Sequence, residues 1–408
     1  MHLDSPLRGL EADPDAPADR IRGATRAAFT NLVDFAVDQN AKIVLIAGDL
    51  YDGDWQDWRT GQFLIRELER LTRAGIKIVA ISGNHDAESV ITRKLRWPDG
   101  AKLLATGRAE TVTFPELGLT VHGRGFPTKA VTESLLPSYP PPAPGMLNIG
   151  LLHTCATGRP GHEKYAPCTP EQLAAQGYDY WALGHIHTRE ILWRDPWIVF
   201  PGNLQGRHIG EEGAKGATLI TVEDGKIAGE PTHHALDVVR WRKIPIDLTG
   251  AADEEAALTR IREKLADALA DAEGRMLAAR VHLFGATVSH TALVRDTGAT
   301  REKIRAEALA AGGGNALWLE QIEIETSPPA GAAARDPMEA LLLQNIDAAD
   351  PASLVADLQA YAAQLLDRAP GLRAALGDDH PAARAAAGEI TPALMAQARA
   401  LLLARLGA

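Results

Sequence analysis

Apolar residues recur at helical spacing over residues 21–39, at Ile21, Ala24, Ala28, Leu32, Phe35 and Ala36, and then give way to an unbroken apolar run at Ile43–Ala47. That switch predicts an amphipathic helix leading into a buried strand. It repeats downstream, with helical spacing over 61–74 and an apolar run at Ile76–Ile81. Alternating helix and buried strand predicts a layered α/β sheet, in which functional residues gather just past the carboxyl ends of strands.

From 110 to 230 the pattern shortens to strand-like segments with turn signals between them. They are Thr111–Phe114, Leu119–Gly123, Leu147–His153, Tyr180–Leu183, Trp197–Phe200 and Ala217–Val222. These predict a second sheet packed on the first, so that 1–235 forms one domain built as two sheets flanked by helices. A small α/β cap domain is expected over 236–327, from strand 240–247, helix 252–272, strand 279–285, helix 299–311 and strand 316–325. The Pro/Gly/Ala-rich stretch 328–335 reads as a linker, and 336–408 as a helical C-terminal region with apolar spacing at Leu354, Leu358, Tyr361 and Leu365. Such a region suits docking to a partner or packing onto its own chain.

A length of 408 residues with 46% hydrophobic content fits two or three domains with full cores. No apolar run reaches membrane-spanning length and the first residues lack the features of a signal peptide, so no membrane association and a cytoplasmic location are expected. The two cysteines, Cys155 and Cys168, form no CxxC pair and are expected to be reduced, with Cys155 a small buried residue near the site. A net charge of −11 excludes a chain coated in basic charge. A local groove stays open, because Arg189, Arg194, Arg207, Lys215, Arg240, Arg242 and Lys243 cluster in sequence. Either a phosphate track or a solvated face would explain them.

The candidate chemistry lies in short segments that mostly follow predicted strands: His2-Leu3-Asp4, Gly48-Asp49-Leu50-Tyr51-Asp52, Gly83-Asn84-His85-Asp86, Leu151-Leu152-His153 and Gly184-His185-Ile186-His187. Hard oxygen and nitrogen donors of this kind suit Mn²⁺, Fe²⁺ or Zn²⁺. Glycine lets the backbone turn at the strand end, where Asp49 can bridge two cations, while Asp52 can orient a histidine. Asn84 offers a neutral ligand, and His85 beside it reads either as a proton donor held by Asp52 or as a turn histidine. His185 and His187 would share a face if that segment were extended. His153 gains meaning only in company with the rest. His122, His162 and His208 border glycines and are lesser candidates for phosphate contact. His233, His234, His290 and His380 read as surface residues.

Together these segments resemble the calcineurin-like metallophosphoesterases, and within them the SbcD-type DNA repair exonucleases and their bacterial YhaO branch. The closer likeness is in Gly48–Trp55, Trp181–His187 and Phe200-Pro-Gly-Asn-Leu-Gln-Gly206. The resemblance implies a first metal on His2, Asp49 and His187, and a second on Asp49, Asn84, His153 and His185. It further implies a catalytic His85 oriented by Asp52, two divalent ions with Mn²⁺ foremost, and an exonuclease-type reaction on DNA in repair. An SMC-like coiled-coil ATPase partner comes from the same source, and a homodimer is a separate expectation. Small-molecule phosphodiesterase activity on the same core, and an impaired scaffold that docks an ATPase, are the alternatives.

The family opens on a strand leading to Asp-x-His, whose Asp would precede residue 1. A start codon placed too late is the favoured explanation, with a first metal left on three protein ligands, a poorly fixed His2 and weakened activity as the expected consequences.

Overall fold

The computed structural model describes residues 1–5, 16–51, 58–87, 95–156, 165–312, 314–329, 351–368 and 381–391. The chain divides into two compact units that part between Arg242 and Lys243, within a strand and downstream of the expected boundary at 235/236.

The first unit opens with helix α1 (Ala18–Asp38), which buries Ile21, Ala24, Ala28, Phe29, Val33 and Ala36 along one stripe. It ends where Asn40 takes a left-handed conformation, φ 51°, as is common for Asn just past a helix. Strands β1 (Ile43–Ala47), β2 (Lys77–Ile81) and β3 (Ala101–Leu103) form a parallel three-stranded sheet in that order, with helix α2 (Trp58–Arg73) crossing between β1 and β2. The two-residue period of a strand sorts the side chains. Val44, Ile46, Ile78 and Ala80 pack on Phe29, Val33, Leu64 and Leu68 of the helices. Ile43, Leu45, Ala47, Val79 and Ile81 join the opposite core instead.

That opposite core is shared with a six-stranded sheet ordered β4 (Glu110–Phe114), β5 (Leu119–Arg124), β6 (Leu147–His153), β7 (Tyr180–Gly184), β9 (Trp197–Phe200), β8 (Glu190–Arg194). Its inner strands run parallel and its two edge strands antiparallel. Leu147, Ile149, Leu151, Tyr180 and Val199 face the first sheet. Leu152, Trp181, Leu183, Ile198 and Phe200 face outward into a third cluster. Trp181 is fully buried there, and a Cβ on its cross-strand neighbour Gly150 would overlap the indole. Truncating a ring so buried would cost about 3–5 kcal/mol. A short helix, α3 (Pro170–Ala174), is closed by a capping box between Thr169 and Gln172.

Strands β10 (Gly216–Glu223) and β11 (Lys226–Ala235) form a separate hairpin. Asp224 and Gly225 both take positive φ at its turn, as a tight two-residue connection requires. A cavity of about 450 Å³ runs along β1 and is walled by apolar residues that include Leu45, Leu119, Ile149 and Leu219, with His2, Asp49, His185 and His187 among its lining.

The second unit holds a sheet ordered β12 (Val239–Asp247), β13 (Met276–Ala286), β14 (Leu317–Ser327), with β13 and β14 parallel. Helices α4 (Glu254–Asp271) and α6 (Thr297–Ala310) begin at Asp253 and Asp296, whose carboxylates accept the backbone N–H of Ala256 and Ala299. Ile261, Leu265 and Ile304 fill the core beneath them. Helix α5 (His290–Arg295) carries a correction: His290, expected at the surface, is 5% exposed and its Nδ1 lies 2.9 Å from Thr326 Oγ1. In the C-terminal region the structure describes α7 (Pro351–Arg368) and α8 (Pro381–Ala386). No helix among the described residues is long and apolar enough to cross a membrane.

Candidate metal centre

The candidate residues converge at the carboxyl ends of β1, β2, β6 and β7, where consecutive loops of the two sheets meet. After β1 the backbone turns through Gly48 (φ 93°) and Asp49 (φ 52°). Gly48 is needed there, since a Cβ would lie 2.6 Å from His153 Nδ1 and 2.9 Å from Gly83 Cα. Asp49 itself holds an uncommon conformation for a residue with a side chain, of the kind that accompanies functional sites. Gly83 and Gly184 clear the remaining space: a Cβ at Gly83 would collide with the Asp49 carboxylate, and one at Gly184 with Ala47 O.

Asp49 is 4% exposed and its Oδ2 lies 3.5 Å from His2 Nε2 and 3.4 Å from His153 Nε2. On one side, His2 Nε2 and His187 Nε2 are 3.0 Å apart. On the other, His153 Nε2 is 3.0 Å from Asn84 Oδ1, and the His185 ring stands edge-on to His153 with centroids 5.2 Å apart. Burial raises the Asp49 pKa, but His153, His2 and His85 outweigh it and hold the carboxyl below the ordinary range.

The lone pairs are also set. His153 Nδ1 lies 2.9 Å from Ala47 O, so its proton is donated there and Nε2 is left as an acceptor. With His153 in its neutral form, Nε2, Asn84 Oδ1 and Asp49 Oδ2 are then three acceptors turned on one another. A divalent cation relieves that arrangement, and the donor set is one that hard and borderline cations accept. His187 is fixed in a similar way: its Nδ1 lies 2.7 Å from Glu211 Oε1. Burial lowers the His187 pKa more than Glu211 raises it. Burial pushes the Glu211 pKa up, but hydrogen bonds from His187 and Arg207 bring it below the ordinary range. The pair is a neutral imidazole donating to a carboxylate.

Two expectations need revision. His185 and His187 do not share a face of an extended segment. His185 sits at φ 97°, and that turn sends its ring toward His153 while His187 meets His2. Nor is His2 loosely held: it is 1% exposed, its N–H donates to Asp49 O at 2.8 Å, and Leu3 N–H donates to Leu50 O at 2.9 Å. Asp4 anchors the same segment through an ion pair with Arg26 and a hydrogen bond from Thr60.

His85 sits beside this group. Its backbone N–H donates to Asp49 Oδ1 at 3.2 Å, and its ring stands edge-on to His2 with centroids 4.9 Å apart. A ring nitrogen of His85, one of His2 and a carboxylate oxygen of Asp49 all lie within 4.8 Å of one another. Asp52, its expected partner, falls outside the described residues, as do His162 and His380.

Three important residues escaped the sequence. Asp86 is buried, accepting the N–H groups of Leu50 and Gly83 at 3.0 Å and of Tyr51 at 2.9 Å, and so ties the loop after β1 to the loop after β2. Burial and the neighbouring Asp49 raise its pKa to about 6 despite those bonds. Glu211 and Asn203 are the others, with Asn203 Nδ2 donating to Glu211 Oε2 at 2.8 Å. Their one signal was position, in or just after the run Phe200–Gly206.

His122, a lesser candidate, belongs to the core of β5, 2.9 Å from Thr111 Oγ1, 3.0 Å from Asn148 Oδ1 and stacked on Tyr178. His208 is exposed. His233, read as a surface residue, is half-buried with both ring nitrogens enclosed. Arg194 pairs with Glu230, Arg207 with Glu211 and Arg240 with Asp237, while the buried Lys215 donates to His187 O at 3.1 Å. Cys155 and Cys168 are buried and not joined in a disulfide.

Comparison with known proteins identifies the family. The calcineurin-like phosphoesterase family model matches residues 21–189, and that of the middle domain of metallophosphoesterase YhaO matches residues 241–327. A Bacillus subtilis (strain 168) protein described as an uncharacterized metallophosphoesterase YhaO is 30% identical over 366 residues, which is 88% of each chain. The DNA double-strand break repair protein Mre11 of Sulfurisphaera tokodaii is 28% identical over 209 residues, covering 47% of this chain and 52% of that one. Its counterpart in Methanopyrus kandleri is 23% identical over 202 residues, covering 46% and 43%. The chain thus spans about half the length of these Mre11 proteins.

Proposed function

The chain belongs to the calcineurin-like metallophosphoesterases, and on that basis we propose that it is a DNA nuclease that cleaves phosphodiester bonds with two divalent cations, Mn²⁺ foremost. The observation that carries this reading is the position of Asp49 Oδ2 between two groups of donors, 3.5 Å from His2 Nε2 and 3.4 Å from His153 Nε2. His2 and His187 would hold one cation, Asn84, His153 and His185 the other, with Asp49 shared. Such ions supply Lewis acidity to a phosphoryl oxygen and ease deprotonation of water at neutral pH.

The chain's own residues do the rest. Asp49 stays ionised against its burial because histidines surround it. Ala47 O and Glu211 fix the tautomers of His153 and His187. His85, whose ring stands 4.9 Å from that of His2, would protonate the leaving oxygen in this reading, with Asp52 as the orienting partner that the family resemblance implies. DNA is favoured as substrate because about half of this chain is similar to proteins named for DNA double-strand break repair. An SMC-like coiled-coil ATPase is the partner proposed with it.

The test incubates the purified chain with Mn²⁺ and linear duplex DNA, single-stranded DNA or bis(p-nitrophenyl) phosphate. Degradation of DNA that stops with chelator supports the reading. Hydrolysis of the small diester alone would move the substrate to small phosphodiesters, and no hydrolysis of any by metal-loaded protein would end the catalytic reading.

A further inference from the structure

The two halves of the metal centre are not built alike. The half around His153 has a backbone carbonyl behind its histidine and takes further donors from Asn84 and His185. The half around His2 and His187 has fewer protein donors, and behind it lies an ion pair. Glu211 Oε1 accepts from His187 Nδ1 at 2.7 Å and from Arg207 Nη2 at 2.6 Å. Its Oε2 accepts from the Arg207 backbone N–H at 2.9 Å and from Asn203 Nδ2 at 2.8 Å. The carboxylate is 6% exposed and held from several directions. Arg207 Nη1 also reaches Ser5 Oγ at 3.5 Å, and Ser5 N–H donates to His2 O at 3.3 Å. One ion pair therefore braces both histidines of the same half, His187 directly and His2 through Ser5.

We propose that Glu211, clamped by Arg207 and Asn203, is a positioning residue that tunes the affinity of the His2/His187 half for its cation and leaves the His153 half alone. It acts by two routes. It keeps the His187 proton on Nδ1 so that Nε2 carries the lone pair, and its negative charge makes that imidazole a stronger donor. Carboxylates behind metal-binding histidines generally have this effect, and removing one weakens metal affinity by about 10–100-fold. The inference rests on the two-metal reading above, but it concerns binding and needs no turnover.

The test is calorimetric and EPR titration of metal-free protein with Mn²⁺, comparing wild type, Glu211→Gln, His187→Ala, His153→Ala and the two double variants. Glutamine keeps the volume and a carbonyl acceptor but lacks the charge. Wild type should bind two equivalents. Glu211→Gln should weaken one of them by about 10–100-fold and leave the other unchanged, whatever the loss of the ion pair with Arg207 does to the melting temperature in chelator. It should add nothing to the loss caused by His187→Ala, yet add its full effect to that of His153→Ala. Two unchanged equivalents in Glu211→Gln would overturn the proposal while leaving the two-metal reading intact. Equal weakening of both equivalents with a lowered metal-free melting temperature would also overturn it, making Glu211 a general brace of the fold. Wild type that binds no second equivalent would end both.

Discussion

His153 Nε2 and Asn84 Oδ1 face each other at 3.0 Å, and neither has a hydrogen to offer while His153 donates its Nδ1 proton to Ala47 O. With the Asp49 carboxylate 3.4 Å away, the buried face of the site is a set of acceptors that oppose one another. Buried polar groups without a complement are costly, and a cation supplies the complement to all of them at once.

Adding Mn²⁺ to metal-free protein should therefore raise its melting temperature. Each site saturated to 100 times its Kd contributes about 2.7 kcal/mol. His153→Ala should lose at least half of that gain, as read by differential scanning calorimetry with and without chelator. A gain that survives intact in this variant would place the cations elsewhere.

Gly83→Ala and Gly184→Ala each put a methyl group where a metal-bearing loop or strand end approaches. The first would press on Asp49 and the second on Ala47 O. Both should lose about 1–3 kcal/mol of stability in urea titrations and bind Mn²⁺ more weakly. Gly145→Ala is the control, since nothing lies within 4 Å of a Cβ there, although its φ of 71° adds some strain.

Asp86 should make the metal-free fold sensitive to pH. Its folded pKa of about 6 lies above the ordinary aspartate value because of burial and Asp49. The stability it contributes is therefore complete below about pH 4 and is lost as pH rises through 6, on the order of 3 kcal/mol. Urea midpoints of metal-free wild type should fall relative to Asp86→Asn across that window. A difference that does not change with pH would show that Asp86 is ionised throughout.

His85→Asn should slow phosphodiester hydrolysis by about 10²–10⁴-fold while both Mn²⁺ equivalents still bind. Its ring lies close enough to His2 and Asp49 to make ligation a real alternative. Loss of one equivalent in the variant would identify His85 as a ligand and remove it from the proton-donor role.

Much of this architecture is legible in the chain. Strands β1, β6 and β9 match their expected segments residue for residue, because strands inside a layered sheet draw mostly on apolar residues. The order of the candidate segments after such strands also places Asp49, Asn84, His153 and His185 at one end of the sheets. Strand β11 was not legible: it is largely polar, contains Gly229 and Pro231, and owes its existence to pairing with β10.

Tertiary structure alone decided the rest. That the ring of His185 meets His153 while His187 meets His2 goes with one positive φ, at His185. That Glu211 backs His187 across 24 residues depends on how the loop after β9 folds back, and that His122 and His290 are buried depends on partners 26 and 36 residues away. Periodicity and turn chemistry act over a few residues and so are written in the sequence. The role of a polar side chain is set by what meets it from distant parts of the chain, and that meeting exists only in the folded protein.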